Sequence, residues 1–189
     1  MSSSELQGRT VAFLVAESGV EQVELTSPWQ AIEEAGGSPQ LVSPADATVQ
    51  AFNQDVEKGA TFPVDVRLSD ASVEMYDALV LPGGTTNPDA LRLDRAAVEF
   101  VGAFVAAGKP VAAICHGPWT LVEADVVRGK TLTSWPSVAT DIRNAGGTWR
   151  DDEVFVCDAN GWQLVTSRGP DDLEAFNREL VRTFGGGSR

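Results

Sequence analysis

The sequence has few cationic residues and no long apolar run. It contains 14 Lys and Arg against 27 Asp and Glu, which gives a formal net charge of −13. Because sequence-independent binding to nucleic acid needs a basic face, this balance argues against a nucleic-acid partner. No apolar stretch approaches the ~20 residues that cross a bilayer, and the first residues do not resemble a secretory signal. We therefore expect a cytoplasmic protein that binds neither nucleic acid nor membrane.

Histidine and cysteine are also scarce. The chain has one histidine, His116, and two cysteines, Cys115 and Cys157. A zinc site needs more Cys or His ligands than these, so we predict no metal. The Pro-Gly-Gly turn at 82–84 matches neither pattern of a nucleotide-binding glycine loop, and we predict no cofactor. Two thiols in a reducing compartment are expected to be free.

Strands and helices alternate along most of the chain. Short apolar runs, rich in β-branched residues, are typical of strands buried on both faces of a parallel sheet. We predict one α/β domain over 1–189, a three-layer sandwich with a mostly parallel central sheet, with flexible tails at 1–8 and 186–189. Possible strands at 49–52 and 62–65 would form a small added hairpin. Strands are predicted at 10–16, 40–43, 78–81, 111–114, 131–133, 154–157 and 163–166, and helices at 21–35, 94–107, 117–124, 136–145 and 170–184.

The segment 111–118, with the sequence VAAICHGP, holds the candidate nucleophile. Its apolar run stops at Cys115, and Gly-Pro then begins the next helix. A residue at the carboxyl end of a core strand, before a helix, lies where α/β sheets place nucleophiles, and the helix N-terminus favours a thiolate. The other reading is a buried core cysteine, the commonest fate of a free thiol. Cys157 is interpreted as a core residue.

His116 follows the candidate nucleophile directly. It could act as a general base or orient a substrate, or it could simply pack in a loop. Neighbouring residues seldom face each other, so contact between the ring and the sulfur is not assured. No histidine follows position 116. This absence nearly excludes a glutamine amidotransferase of the triad type, which needs a histidine far downstream of its nucleophile.

Three acids, Glu17, Glu21 and Glu24, cluster where the first strand passes into the first helix. They could be partners of the helix dipole, or one could lean over the thiol with a raised pKa. The spacing does not choose among the three.

The glycine turn at Gly83 and Gly84 follows another core strand. It could be a plain turn, or its N–H groups could bind a developing oxyanion. Asp89, just past Asn87-Pro88, could cap a helix or act as a catalytic carboxylate.

Together these segments resemble the PfpI branch of the ThiJ/PfpI superfamily, over about residues 10–184. The resemblance rests on five segments in order: VELTSP at 23–28, DALVLPGG at 77–84, AICHGP at 113–118, TSWPS at 133–137 and TSRGPDDL at 166–173. It implies a flavodoxin-like fold and assembly into a homodimer or higher homo-oligomer. It also implies site roles: nucleophilic, oxidation-sensitive Cys115, Glu24 as the acid that hydrogen-bonds it, active-site His116, and Gly84 in the oxyanion turn.

The chain departs from this family pattern at two positions. PfpI-type proteases take a glutamate from the neighbouring subunit to orient the histidine, and Asp89, one methylene shorter, stands in that segment here. Trp135 stands where some branches carry a histidine. With Trp119 it is expected to narrow the pocket and contact substrate.

The resemblance implies a cysteine-dependent hydrolase or lyase of the stress response. The expected substrates are small reactive carbonyls or their glycated adducts, as for a glyoxalase or deglycase. Two alternatives stay open. One is a general stress protein whose Cys115 is an exposed, low-pKa thiol that oxidants modify without turnover. The other is an intracellular cysteine peptidase.

Overall fold

A computed structural model of the chain describes residues 4–187. The strands within this range are β1 Thr10–Leu14, β2 Ser18–Glu21, β3 Ser38–Ser43, β4 Thr48–Asn53, β5 Glu57–Pro63, β6 Val66–Arg67, β7 Ala78–Leu81, β8 Val111–Ile114, β9 Thr131–Leu132, β10 Thr148–Trp149, β11 Val154–Cys157 and β12 Leu164–Ser167. The α-helices are α1 Gln22–Glu34, α2 Thr86–Leu93, α3 Arg95–Ala106, α4 Pro118–Glu123, α5 Ala139–Asn144 and α6 Leu173–Phe184.

Seven strands form the central sheet, in the order β11-β12-β8-β7-β1-β3-β6. Strands β7 and β8 are buried at every position, as their apolar sequences predict, and β12 is equally buried although it ends in Thr166 and Ser167. All neighbours in this sheet pair in parallel except β11, which runs antiparallel to β12. The predicted α/β architecture with a mostly parallel sheet is therefore confirmed.

Helices cover both faces of the central sheet. Helices α1 and α6 pack together on one face, and α2 to α5 pack on the other. In α6 the apolar residues recur every three or four positions, so one stripe is buried against the sheet: Leu173, Phe176, Leu180 and Phe184. The chain passes from β1 to β3 and β6 on one side, and it then returns to β7 on the other side of β1. Such a switch point is where open α/β sheets bind ligands.

The predicted hairpin belongs to a second sheet of three strands, β2-β4-β5. Strands β4 and β5 pair antiparallel, and β2, which was not predicted, pairs in parallel with β4. The second hairpin strand lies earlier than the predicted 62–65. Both residues at the hairpin tip, Gln54 and Asp55, adopt left-handed backbone angles with φ of 53° and 63°. Because neither is glycine or asparagine, the usual sequence signal for this turn is missing.

Two helical segments differ from the prediction. Helix α2 was not predicted because Asn87-Pro88 is typical of a turn; Pro88 instead lies in the first helical turn, where its missing N–H costs nothing. The predicted helix 136–145 is divided into a 3-10 turn, Pro136–Val138, and α5. None of the helices within residues 4–187 is both long and apolar enough to cross a membrane.

The predicted N-terminal tail is partly wrong. Leu6 has no exposed surface, and its N–H donates to the carbonyl of Ala35 at 2.9 Å. Residues 4–8 therefore pack against the end of α1, because the core holds a hydrophobic site for Leu6. Residues 1–3 and 188–189, also predicted as tails, lie outside the described residues.

We expect Leu6→Ala to lower the free energy of unfolding by about 2–5 kcal/mol, since it leaves a cavity in the core. Urea denaturation measures the effect. The matched control is Val56→Ala, because Val56 is 77% exposed and its loss should change stability by less than about 0.5 kcal/mol. Equal stability of the two variants would contradict the docking of the N-terminal segment.

Candidate active site

The turn between β8 and α4 presents Cys115. Its φ is 61°, in the left-handed region that side chains other than glycine rarely adopt. Three backbone hydrogen bonds hold the turn: Cys115 N–H to the carbonyl of Ser167, Trp135 N–H to the carbonyl of Cys115, and Gly117 N–H to that of Ile114. The strand-to-helix geometry predicted for the nucleophile is therefore present.

A buried carboxyl group lies beside this cysteine. Glu24, in the first turn of α1, has no exposed surface, and its Oε2 accepts a hydrogen bond from the N–H of Gly83 at 2.8 Å. A Cβ atom on Gly83 would lie 2.5 Å from that oxygen and 2.6 Å from Cys115 Cβ. Only glycine leaves room for the acid and the thiol together. The structure thus brings Glu24, and not Glu17 or Glu21, to the sulfur.

Burial raises the pKa of Glu24 to about 8, although its hydrogen bonds with Gly83 and Cys115 oppose the shift. The negative charges of Glu21 and Asp55 raise the pKa further. Glu24 therefore keeps its proton at neutral pH. In that form it does not repel a thiolate and can donate a hydrogen bond to the sulfur.

Cys115 is 6% exposed. Burial raises its pKa, a charge on Glu24 raises it further, and the N–H groups of Gly84 and His116 lower it. The expectation of an exposed, low-pKa thiol is therefore wrong, because Cys115 is buried at the cavity that it lines and this burial raises its pKa. The sulfur needs a base beside it and a neutral Glu24 to become a thiolate.

The two N–H groups of the glycine turn, those of Gly83 and Gly84, point to different partners. Because Gly83 donates to Glu24, its N–H is not free for an oxyanion, which corrects the prediction for that residue. The N–H of Gly84 points to the sulfur, as does that of His116. Gly84 has a φ of 79°, and a Cβ there would lie 2.2 Å from the carbonyl oxygen of Gly19. The N–H groups of Gly84 and His116 form the candidate oxyanion site.

His116 contacts the neighbouring sulfur. Its Nδ1 lies 3.2 Å from Cys115 Sγ, and its Nε2 lies 3.3 Å from Ser137 Oγ. The sharp turn permits this contact between adjacent residues. Burial lowers the pKa of His116, and the charge of Asp55 opposes that shift, so the neutral ring can accept the thiol proton. Ser137 lies in one of the segments that carry the family resemblance, yet nothing in its spacing marks it as a partner of the ring.

The hairpin tip of the three-stranded sheet lines one side of the cavity, which sequence reasoning missed. Glu21 Oε1 and Oε2 accept hydrogen bonds from the N–H groups of Gln54 and Asp55 at 3.2 and 3.4 Å. Asp55 Oδ1 in turn accepts from Thr85 N–H at 2.7 Å, next to the glycine turn. The site cavity has a volume of about 290 Å³ and is lined by Glu21, Glu24, Gln54, Asp55, Gly84, Cys115, His116, Trp135 and Pro170.

A second residue that sequence reasoning missed is Asn87, which is fully buried. Its Oδ1 accepts from Ala16 N–H at 2.7 Å, and its Nδ2 donates to the carbonyls of Pro82 and Gly83 at 3.0 and 3.1 Å. The amide ties the glycine turn to the end of β1. An Asn-Pro pair in the sequence signals a turn, which is why this positioning role could not be predicted.

Of the remaining predicted site residues, only one lines the cavity. Trp135 is 43% exposed, lines the cavity, and stacks on the His116 ring at a centroid distance of 5.9 Å. Trp119 packs against the same ring at 5.0 Å, but its Nε1 donates to Asp141 and it does not line the cavity. Asp89 is exposed on α2 and outside the cavity of a single chain.

The chain is similar to known proteins over nearly its whole length. A family model described as the DJ-1/PfpI family matches residues 9–183. The YraA protein of Bacillus subtilis (strain 168), which bears the name of a suspected cysteine protease, is 43% identical over 92% of this chain and 96% of its own length. Protein/nucleic acid deglycase 2 of Escherichia coli (strain K12) is 42% identical over 94% of this chain and 98% of its own length.

A solved structure gives the same result for the fold. A two-domain protein from Anabaena variabilis, containing DJ-1/ThiJ/PfpI-like and ferritin-like domains, superposes with a TM-score of 0.83 and 31% identity. The match covers 95% of this chain and 49% of that protein, so this chain spans about half of its length.

We expect Glu24→Gln to change how stability depends on pH. Because the folded state raises the pKa of Glu24 from 4.5 to about 8, the folded protein binds this proton more tightly than the unfolded chain. The stabilisation is fully present below pH 4.5 and is lost as pH rises through 8. Between pH 4.5 and 8, the free energy of unfolding of Glu24→Gln should therefore rise relative to that of wild type by up to about 1.4 kcal/mol per pH unit. Urea unfolding at pH 5–8 tests this, and a flat difference curve would contradict it.

We expect Gly83→Ala to force Glu24 and Cys115 apart, costing about 1–3 kcal/mol of stability through overpacking. It should also change the rate at which iodoacetamide alkylates Cys115. Gly102→Ala is the control, because a Cβ there meets nothing within 4 Å. That control should be neutral or more stable by up to about 1 kcal/mol. An unchanged alkylation rate in Gly83→Ala would argue against the conclusion that Gly83 leaves room for Glu24 and Cys115 to lie side by side.

Proposed function

The chain belongs to the DJ-1/PfpI family, and on this basis we propose that it is a cysteine-dependent enzyme that acts on reactive carbonyls or their adducts with thiols and amines. The observation that carries the proposal is the placement of two groups beside Cys115, the buried carboxyl of Glu24 and the ring of His116. Glu24 holds a proton at neutral pH, while the buried ring of His116 is a neutral acceptor 3.2 Å from the sulfur. One group can give a proton and the other can take one.

The first step in this mechanism is addition of the sulfur to a carbonyl. Cys115 passes its proton to His116 Nδ1 as Sγ bonds to the carbonyl carbon. The electron pair of the C=O bond moves to oxygen, beside the N–H groups of Gly84 and His116. Glu24 then supplies a proton to the oxygen. The hydrogen on the former aldehyde carbon then moves as a proton to the neighbouring carbonyl carbon, which leaves a 2-hydroxy thioester on Cys115. Water cleaves the C–S bond of this thioester and releases a hydroxy acid and the free Cys115 thiol. When the substrate is an adduct, Sγ replaces the thiol or amine at that carbon, so the adduct and one water give a hydroxy acid and the free thiol or amine.

The cavity supports a compact reacting group. Its volume is about 290 Å³, and Trp135 covers part of its mouth against the His116 ring. A three-carbon oxoaldehyde fits such a volume, and the indole of Trp135 would pack on its apolar side. Removal of such toxic carbonyls is a stress-protective activity.

The name of one relative points to a peptidase, and the site supports that alternative less well. Cysteine peptidases use a third group to orient the histidine. Within residues 4–187 of one chain, the outer nitrogen of His116 contacts Ser137, and no carboxylate is hydrogen-bonded to the ring. We therefore treat the peptidase activity as secondary. Delivery of Asp89 by a second copy in a homo-oligomer would be needed to supply the missing acid.

The oxidant-sensing alternative is also weakened by the geometry. A redox-sensing thiol is exposed and has a low pKa. Cys115 is buried, and burial raises its pKa. Oxidation of this sulfur would need the same proton transfer that carbonyl addition uses, so we regard turnover as the primary role.

We expect Cys115→Ser to reduce turnover of methylglyoxal, and of its adduct with a thiol, to the uncatalysed rate. His116→Ala should lose roughly 10²–10⁴-fold in kcat, the usual contribution of a general base. Formation of lactate measures both. Cys157→Ser is the control because that buried thiol lies outside the cavity. Equal rates in wild type and Cys115→Ser would overturn the proposal.

A further inference from the structure

The ring of His116 is held by two indoles and by a polar contact at each of its nitrogens. Trp119 and Trp135 lie against it at centroid distances of 5.0 and 5.9 Å. Nδ1 lies 3.2 Å from Cys115 Sγ, and Nε2 lies 3.3 Å from Ser137 Oγ. A half-turn of the ring would place carbon atoms at both polar contacts. The contacts therefore fix which nitrogen faces the thiol, while the single proton of a neutral ring can reside on either nitrogen.

The donors around the sulfur decide where that proton resides. The backbone N–H groups of Gly84 and His116 point to Cys115 Sγ, and Glu24 is hydrogen-bonded to the same atom. Because the buried carboxyl of Glu24 keeps its proton at neutral pH, it too is a donor. With three donors directed at the sulfur, the proton of the thiol itself has Nδ1 of His116 as its acceptor. This arrangement requires a bare Nδ1 and a ring proton on Nε2.

A proton on Nε2 needs an acceptor, and Ser137 supplies one. Its Oγ lies 3.3 Å from Nε2, and it belongs to the 3-10 turn Pro136–Val138, which follows Trp135. The N–H of Trp135 donates to the carbonyl of Cys115 at 2.9 Å. This segment is thus attached to the β8–α4 turn, the elbow that carries the nucleophile. The hydroxyl and the sulfur are therefore held in register with each other on opposite sides of the ring.

We infer that Ser137 is a positioning residue, whose hydroxyl accepts the Nε2 proton of His116 and so keeps Nδ1 free to receive the proton of Cys115. The catalytic consequence of this contact rests on the proposed function. When the S–H bond breaks and the Nδ1–H bond forms, the ring becomes a cation and its hydrogen bond to Oγ strengthens. A carboxylate in this place would orient the ring equally well, but it would also raise the pKa of the ring. The hydroxyl orients the ring and leaves it neutral before the reaction.

Nitrogen NMR measures the tautomer directly, because His116 is the single histidine of the chain. The protein is labelled with 15N-histidine and studied at pH 7.5, where the ring is neutral because burial lowers its pKa. We expect the Nε2-protonated form to predominate in wild type and the Nδ1-protonated form to appear in Ser137→Ala. A wild-type ring protonated on Nδ1, or an unchanged tautomer in Ser137→Ala, would overturn the inference.

Two further variants separate the hydroxyl contact from local packing. Ser137→Thr keeps the hydroxyl and should show the wild-type tautomer. Thr140→Ala removes an exposed hydroxyl from the neighbouring helix α5 and should leave the tautomer unchanged. If the threonine variant behaves like Ser137→Ala, or if Thr140→Ala changes the tautomer as much, the effect belongs to packing and the inference fails.

A carboxylate introduced at position 137 gives a readout that packing alone does not change. Ser137→Asp should keep the proton on Nε2 and raise the pKa of His116, which the pH dependence of the same nitrogen signals measures. Thr48→Asp adds the same charge at the exposed start of β4 and should leave that pKa unchanged. The ionisable groups that line the cavity with the ring stay the same in both variants: Glu21, Glu24, Asp55 and Cys115. Equal shifts in the two variants would assign the effect to net charge and refute the contact.

Turnover of methylglyoxal separates this inference from the proposed function. Ser137→Ala should lower kcat about tenfold, since it removes one hydrogen bond to a group that becomes charged. It should leave KM within about twofold, because Ser137 is outside the cavity lining. If the tautomer depends on Ser137 but wild type forms no lactate, the positioning role stands and the proposed function fails. If wild type forms lactate and Ser137→Ala matches it in both rate and tautomer, the function stands and the positioning role is refuted.

Discussion

The site depends on the burial of one carboxyl group next to one thiol. Glu24 receives a single backbone hydrogen bond, from Gly83, and has no exposed surface. A carboxylate so placed would be too costly to desolvate, so the group stays protonated. That neutrality lets a buried sulfur become negative beside it. Glu24, Gly83 and Cys115 come from three separate segments of the chain and must lie in van der Waals contact for this to happen. They can do so because Gly83 has no side chain.

The two sheets make different contributions to the site. The central sheet sets the position of Cys115 through fully buried strands, which deform little because protein interiors are close-packed. The three-stranded sheet carries no reacting group. Its hairpin tip is held by Glu21 and contacts the glycine turn through Asp55, so it sets the electrostatic character of the cavity. The central sheet thus carries the nucleophile, and the peripheral sheet supplies Glu21 and the adjoining Asp55 to the cavity lining.

Much of the fold could be predicted, because strands such as β7 and β8 are apolar runs that stop at Pro82 and Cys115. The nucleophile followed from the same pattern, since Cys115 stands where a core strand meets a helix. The choice of Glu24 over Glu17 and Glu21 needed the family resemblance. Asp55 and Ser137 could not be predicted, because they reach the site through tertiary packing. The direction of the Gly83 N–H was equally beyond prediction, since a sequence does not show which groups its turns leave free.

The left-handed backbone conformation of Cys115 lowers the stability of the fold at the residue that the reaction requires. A non-glycine residue at φ 61° carries a cost of about 1–2 kcal/mol, and glycine would relieve it. The position most needed for reaction is thus one where drift toward a more stable fold leads to loss of function. A population of variants selected for heat resistance alone would be drawn toward an inert protein with this same architecture. Only selection on activity keeps a sulfur at the elbow.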